Sequence, residues 1–370
     1  MNTMSKFIKS IVLNFLRFSL VMLVVAISAG LQPAPVVLAD DGPQDFTALE
    51  PYINAEMKKS RVPGLSLVIF NEREILYSKG FGVKSAATGE PVGEDTVFQA
   101  ASFSKTLTAY AAMILVERGQ LSLNDPLDKY LKKPYLPDTK YAQQITLRMI
   151  LNHTSGLSND SDGRDRKVYF APGAHFSYSG AGFRYLQQVM EDVTGLPFAE
   201  LMDREIIKPL AMNSSSYVFK EEWLSAMATG HEAGKAFPIA RKAVNAAYSL
   251  LTTPGDMARF NQEVCHPTLL KPETVGQMLT PTVQWRGAIY WGLGFGILKS
   301  SAEDFFWHWG NLYYYTSIML TGKESKTGVI IMTNANTGMR LAERLAIKIV
   351  NDYFLDPDKG LNPTTFDFIT

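Results

Sequence analysis

One cysteine, Cys265, stands in 370 residues. That excludes an intramolecular disulfide framework and any cluster of thiolate metal ligands, and Cys265 reads as a structural residue. Histidine is scarce, five in all, and no His-Glu-x-x-His pair occurs, so nothing supports a zinc hydrolase, a metal site or any other cofactor. Charge of one sign is not in excess. With 36 basic side chains against 36 acidic ones, little is left to neutralise phosphates, which argues against a nucleic-acid partner. Internal repeats, heptad runs and a Gly-x-Ser-x-Gly elbow are also missing. What is present is material for a sizeable core: 46% of residues are hydrophobic and 19% charged, which excludes disorder, collagen-like repeats and coiled coil.

The first forty residues read as an address. Lys6, Lys9 and Arg17 precede a run without charge from Phe18 to Ala39, in which Pro33 and Pro35 end any helix. A basic start, an apolar middle and a small residue before Asp40 make residues 1–39 a secretory signal peptide, the alternative being an uncleaved anchor with the protein facing outside. Removing it leaves 33 basic against 36 acidic side chains. The expectation is an exported protein, periplasmic or extracellular, associated with membrane only if this segment stays.

Residues 40–370 form the expected working domain. Phe46 to Lys59 has helical spacing, and Gly64–Phe70 and Glu74–Ser78 read as strands joined at Asn71-Glu72. A helix from about Ser102 to Arg118 is apolar nearly all round, which implies burial, and Gly119 stops it. Strand patterns return at Tyr290–Lys299, Asp304–Trp309, Tyr315–Thr321 and Gly328–Asn334, and Arg340–Tyr353 closes as an amphipathic helix. Strands at both ends and helices between them predict an α/β (α+β type) fold, an antiparallel sheet flanked by helices. The sheet lobe would hold about 40–97 and 283–370, and a mostly helical inserted lobe about 98–282. Periodicity is uninformative over 158–170, 213–245 and 281–290.

Ser102-Phe-Ser-Lys105 is the one place where lysine follows serine by three residues. On a helix, that spacing puts hydroxyl and ammonium on one face. At the helix start, free backbone N–H groups suit a developing oxyanion. The positive helix end and burial would both lower the Lys105 pKa, so that a neutral lysine takes the serine proton. The competing reading is a helix-capping serine beside a solvated lysine.

Two further stations accompany it, Tyr178-Ser-Gly180 within Pro172-Gly-Ala-His-Phe-Ser-Tyr-Ser-Gly and His308-Trp-Gly310 in a strand pattern. With Val62-Pro-Gly-Leu-Ser, Leu121-Ser-Leu-Asn-Asp-Pro, the stretch Ile145–Leu157 ending His153-Thr-Ser-Gly-Leu, and Tyr290-Trp-Gly-Leu-Gly-Phe-Gly296, the sequence resembles the serine β-lactamase and penicillin-binding-protein superfamily. More narrowly, it resembles the branch of class C β-lactamases, DD-peptidases and β-lactamase-like esterases, over nearly all of 46–351. The resemblance implies the β-lactamase/transpeptidase-like fold, with Ser102 as acylated nucleophile, Lys105 as its base partner and Tyr178 as proton relay to the leaving group. The Tyr178 phenol would then be depressed by its cationic neighbour. Ser102 and, by analogy, Asn311 would supply the oxyanion N–H groups, with His308, Gly310 and Gly180 at the substrate.

Departures from the pattern matter. Gly180 stands where the second motif usually has asparagine, which puts β-lactam and peptide recognition in doubt. His308 stands where many β-lactamases have lysine, which leans toward esters. Asn311-Leu-Tyr-Tyr-Tyr315, with Trp307 and Trp309, either narrows the mouth of the site or belongs to the core. Lys326-Thr-Gly328 spells another β-lactamase motif but reads as a hairpin turn, and His153 as part of a structural loop. His175, His231 and His266 have no evident partners. The expected function is an exported serine hydrolase working on a small ester or amide, or a short peptide, through a Ser102 acyl-enzyme. The alternatives are a DD-peptidase or β-lactamase, and a non-catalytic homologue that binds or assembles.

Overall fold

The structure, a computed structural model, describes residues 44–366 apart from Asp138; the address segment at 1–39 lies outside the described residues. We label the principal elements α1 (Glu50–Ser60), β1 (Gly64–Phe70), β2 (Ile75–Gly82), α2 (Phe103–Glu117), α3 (Gly180–Thr194) and α4 (Pro254–Cys265). They are followed by β3 (Val283–Arg286), β4 (Ile289–Trp291), β5 (Gly296–Leu298), β6 (Phe305–Leu312), β7 (Tyr315–Gly322), β8 (Gly328–Thr333) and α5 (Met339–Tyr353). One antiparallel sheet of eight strands runs in the order β2-β1-β8-β7-β6-β5-β4-β3. The N-terminal pair thus joins the C-terminal strands through the pairing of β1 with β8, as the sequence pattern anticipates.

The central strands are apolar on both sides because both faces of the sheet are covered. Along β1, Leu65, Leu67 and Ile69 pack with α1 and α5, whereas Val68 and Phe70 turn to the core around α2 and α4. β7 and β8 divide in the same way, Ile318, Leu320, Val329 and Ile331 to one side, Met319, Ile330 and Met332 to the other. This is the period of two that a pleated strand imposes on its side chains. On the first face α5 contributes Leu341, Leu345, Ile349 and Val350, one helical stripe. On the second, α2 is buried from Phe103 to Leu115, since it lies between the sheet and the helical middle.

Two sequence expectations change. The run Tyr290–Lys299 is two strands, β4 and β5, because Gly292-Leu-Gly294 turns the chain back between them. Gly294 holds φ +88, and a Cβ there would lie 2.3 Å from the Ala109 Cβ of α2. Only glycine combines that backbone with so close an approach. The pattern also missed β3, a half-exposed edge strand paired to β4.

Gly294→Ala is expected to destabilise by about 2–4 kcal/mol, combining positive φ with overpacking. Gly276, in the helix Pro272–Met278, has open space around it, and Gly276→Ala is expected to stabilise by about 0.5–1 kcal/mol. Denaturant midpoints of the two variants check both; equal effects would show that the turn does not depend on contact with α2.

Candidate active site

Ser102 sits one residue before α2, after a bend in which Ala101 takes a left-handed backbone at φ +50. The turn is closed by Phe103 N–H to Ala100 O at 3.2 Å and by the Ser104 hydroxyl to Ala101 O at 2.7 Å. The Ser102 hydroxyl caps no helix N–H. It accepts instead from Lys105 Nζ at 3.0 Å, and the same ammonium donates to Ala247 O at 2.8 Å. Lys105 is 1% exposed and has no ion pair among the described residues. A cation without a carboxylate in an apolar surround loses hydration, and burial brings its pKa from the usual 10.5 down to about 7. The capping-serine alternative therefore does not hold.

Tyr178 lies across from them, its ring 5.0 Å from Lys105 Nζ. Its hydroxyl is buried, close enough to Ser102 to feel that hydroxyl, yet completes no hydrogen bond in the free protein. Burial raises the phenol pKa, opposed only weakly by Ser102, so the expected depression by Lys105 is corrected: Tyr178 stays a phenol. His153 anchors its segment. Fully buried, with φ +58, it accepts Ser179 N–H on Nδ1 at 3.1 Å, and its carbonyl accepts Ser177 N–H at 2.8 Å. Burial, then the nearby Lys105 and His308, hold it neutral, far below the ordinary histidine pKa.

The third station is on β6, whose outer edge is paired to β5 only over Phe305–Trp307. Beyond that, His308–Leu312 runs past the start of α2. Gly310 makes the approach possible, since a Cβ there would stand 2.4 Å from Ala100 O and 2.3 Å from Ser317 Oγ. Asn311 faces the cavity described next. His308 does not: it is 0% exposed, with Nδ1 2.7 Å from Trp309 O and its ring 6.2 Å from that of Tyr178. Burial and Lys105 drive its pKa down to about 3. Its sequence assignment to substrate contact is therefore corrected to a neutral ring packed behind Tyr178.

A cavity of about 390 Å³ opens over Ser102 and Tyr178. One wall is Trp309, Asn311, Leu312 and Tyr313; the other is Asn159, Asp160, Ser161 and Asp162, with Lys242 and Tyr248 also lining it. The aromatic run thus divides: Tyr313 is exposed at the mouth, Tyr314 stacks on Phe237 at 4.4 Å, and Tyr315 is core, its hydroxyl on Ala228 O. Gly180 is buried and does not line the cavity. A Cβ on it would fall 1.9 Å from Ser161 Oγ, so Ser161 fills the space beside it. Sequence reading missed the 159–162 wall and Lys242, which belong to segments without periodicity, and Tyr248, just beyond one of them.

The remaining candidates lie elsewhere. Lys326 is in the β7–β8 hairpin and pairs with Glu72 at 2.9 Å, as does His266 at 2.7 Å. His231 accepts Ala86 N–H at 3.0 Å, His175 stacks on Phe170, and Cys265 has its thiol pKa pushed up to about 12 by burial. Among the described residues, no three histidine, cysteine or acidic side chains converge as metal ligands, and no helix is long and apolar enough to cross a membrane.

The family model for Beta-lactamase matches residues 49–352. The chain belongs to that family. The family includes serine hydrolases. Protein flp of Staphylococcus aureus is 23% identical over 343 residues, 85% of this chain and 68% of its own. Esterase EstB of Burkholderia gladioli is 29% identical over 218 residues, 50% of this chain and 55% of its own. Among solved structures, an octameric penicillin-binding protein homologue from Pyrococcus abyssi superposes with TM-score 0.75 at 25% identity, covering 87% of this chain and 79% of that one. D-alanine carboxypeptidase AmpC from Burkholderia cenocepacia superposes with TM-score 0.71 at 22% identity, covering 83% and 99%. The family fold is the β-lactamase/transpeptidase-like sheet with flanking helices.

The buried lysine carries a stability signature. Its folded pKa lies below the unfolded one, so from about pH 7 to 10.5 the unfolded chain binds more protons and stability rises with pH. Lys105→Met removes that term. The variant is expected to melt a few degrees above wild type near pH ~7, with the gap narrowing toward pH ~10. A gap that is constant or widens with pH would contradict the depressed lysine.

Proposed function

We propose that the protein is an exported serine hydrolase that cleaves small esters through an acyl-enzyme on Ser102. The observation that carries this reading is the Lys105 ammonium, 3.0 Å from the Ser102 hydroxyl, with its pKa lowered to about 7, beneath an open cavity. In its neutral form Lys105 accepts the Ser102 proton as Oγ bonds to the substrate carbonyl carbon. The carbonyl oxygen becomes an oxyanion, received by the N–H groups of Ser102 and Asn311. Collapse breaks the bond to the leaving oxygen, which takes a proton from the Tyr178 phenol, and Lys105 returns its proton to Tyr178. Water then attacks the acyl-enzyme with Lys105 again as base, which regenerates Ser102. No step needs a cofactor. The ester preference rests on the neutral, buried His308, which offers no cation to a substrate carboxylate, and on the likeness to an esterase. Export rests on the sequence of residues 1–39.

A peptidase or β-lactamase reading is supported by the likeness to a D-alanine carboxypeptidase, and a binding role would need no intact Ser102, Lys105 and Tyr178. Ser102→Ala separates these. Hydrolysis of p-nitrophenyl acetate is expected to fall by at least about a thousandfold while the melting temperature is kept. Unchanged turnover would end the acyl-enzyme reading, and a slow-clearing penicillin adduct on wild type would favour the peptidase. The pH profile is a second check: kcat/KM should rise through about pH 7 as Lys105 loses its proton, then stay level into the alkaline range because Tyr178 remains protonated. A flat profile from about pH 5 to 9 would exclude Lys105 as base.

A further inference from the structure

Trp309, Asn311 and, at the turn after β6, Tyr313 follow one another along one wall of the Ser102 cavity. Their order has a chemical sense. Tyr178, the proton donor to the leaving atom, packs against Trp309 at 4.7 Å, which marks the leaving-group end. In the acylation step above, Asn311 N–H receives the oxyanion. The acyl chain then runs the other way, toward Tyr313, which stands two residues, about 7 Å of extended chain, beyond Asn311. The turn holds Tyr313 in a left-handed backbone at φ +50, unfavourable for an aromatic residue. Its neighbours impose it: Tyr314 stacks on Phe237 at 4.4 Å, and the Tyr315 hydroxyl donates to Ala228 O at 2.9 Å. The Tyr313 ring is thereby left exposed at the mouth.

Lys242 Nζ lies over that ring, 4.5 Å from its centroid. Lys242 is half-buried and also borders a narrow crevice with Phe219 and Leu251, so its stem is packed and the ammonium is held in one place. The other charges around the cavity are already matched. Asp160 accepts Asp165 N–H at 2.7 Å, Asp162 accepts the Tyr248 hydroxyl at 2.7 Å, and Arg164 lies 3.7 and 3.3 Å from the two carboxylates. Arg241, next to Lys242 in the chain, pairs with Glu221 at 2.6 Å. Lys242 itself has no ion pair and no hydrogen bond among the described residues. Of the charged groups lining the cavity, it alone lacks a partner of opposite charge.

We infer that Lys242 is a specificity residue that pairs with a carboxylate at the far end of the substrate's acyl group, the Tyr313 ring holding the ammonium in place. The preferred substrates are half-esters of dicarboxylic acids with a chain of about six carbons, rather than neutral fatty acyl esters. This rests on the acyl-enzyme reading above. The test compares mono-p-nitrophenyl adipate with p-nitrophenyl hexanoate, which share chain length and leaving group and differ in the terminal carboxylate. Wild type is expected to favour the adipate, and the ratio of the two kcat/KM values to fall about tenfold in Lys242→Met, the worth of one charge-assisted contact. Lys242→Arg should keep most of the preference and Lys242→Glu reverse it, neither of which follows from a merely structural role. A wild type that favours the hexanoate, or a ratio equal in wild type and Lys242→Met, would overturn the inference and leave the hydrolase reading intact. So would a wild type that favours p-nitrophenyl 6-trimethylammoniohexanoate over both, which would give the mouth to Asp162. Wild type that cleaves none of the three would bring down the hydrolase reading and this inference with it.

Discussion

An ammonium group buried without a carboxylate is the constraint around which this molecule is arranged. Lys105 has one carbonyl and one hydroxyl as partners and is otherwise enclosed. The loss of hydration is met by loss of the proton, which makes the lysine a base near neutral pH. Such an enclosure cannot be built on a helix with a wet face. It requires α2 to be covered on all sides, by the sheet on one and by the helical middle on the other. It also needs the loop at 245–249, whose Ala247 carbonyl is the second partner; that loop is itself held by Asn245 and by the Gln187 side chain of α3, which accepts Ala246 N–H at 3.0 Å. The two-faced sheet and the inserted helices are thus what the reactive lysine costs in architecture.

Behind Tyr178 the interior is aromatic and neutral. His153 and His308 are both fully buried, and their hydrogen bonds fit uncharged rings. Nδ1 of His153 accepts, so the proton resides on Nε2; Nδ1 of His308 faces a carbonyl, so it carries the proton itself. With Trp291 at 5.0 and 5.5 Å from these rings, no cation other than Lys105 adjoins the phenol among the described residues. A tyrosine in that setting is held as a phenol. In the proposed mechanism the proton traffic turns on one group of tunable charge, Lys105, with its neighbours held in fixed states by desolvation.

The fold is shared with esterases and penicillin-binding proteins, and a shared fold does not choose a substrate. The choice rests on the two walls of the cavity. One comes from the β6–β7 hairpin, where Tyr313 takes a left-handed backbone at φ +50 and stands at the mouth. The other is the 159–162 turn, admitted because residue 180 is glycine. A Cβ at 180 would stand 1.9 Å from the Ser161 hydroxyl and 2.9 Å from the Ser161 Cα, so this course of the turn depends on glycine at 180.

Much of this was legible in the sequence. Period-two alternation between two covered faces gave continuous apolar strands, and a helix apolar all round announced its own burial at Ser102–Arg118. The order of Ser102, Lys105, Tyr178 and His308-Trp-Gly310 marked the stations of the site, because their residue types are local facts. The split at Gly292–Gly294, the raised Tyr178 phenol, the withdrawn His308 and the Asn159–Ser161 wall were not legible. Each depends on what distant chain segments place beside a residue: Ala109 against Gly294, Trp309 over Tyr178, Ser161 against Gly180. Sequence carries a side chain's identity and its local period, whereas desolvation and close approach are set by neighbours that only the folded chain brings together.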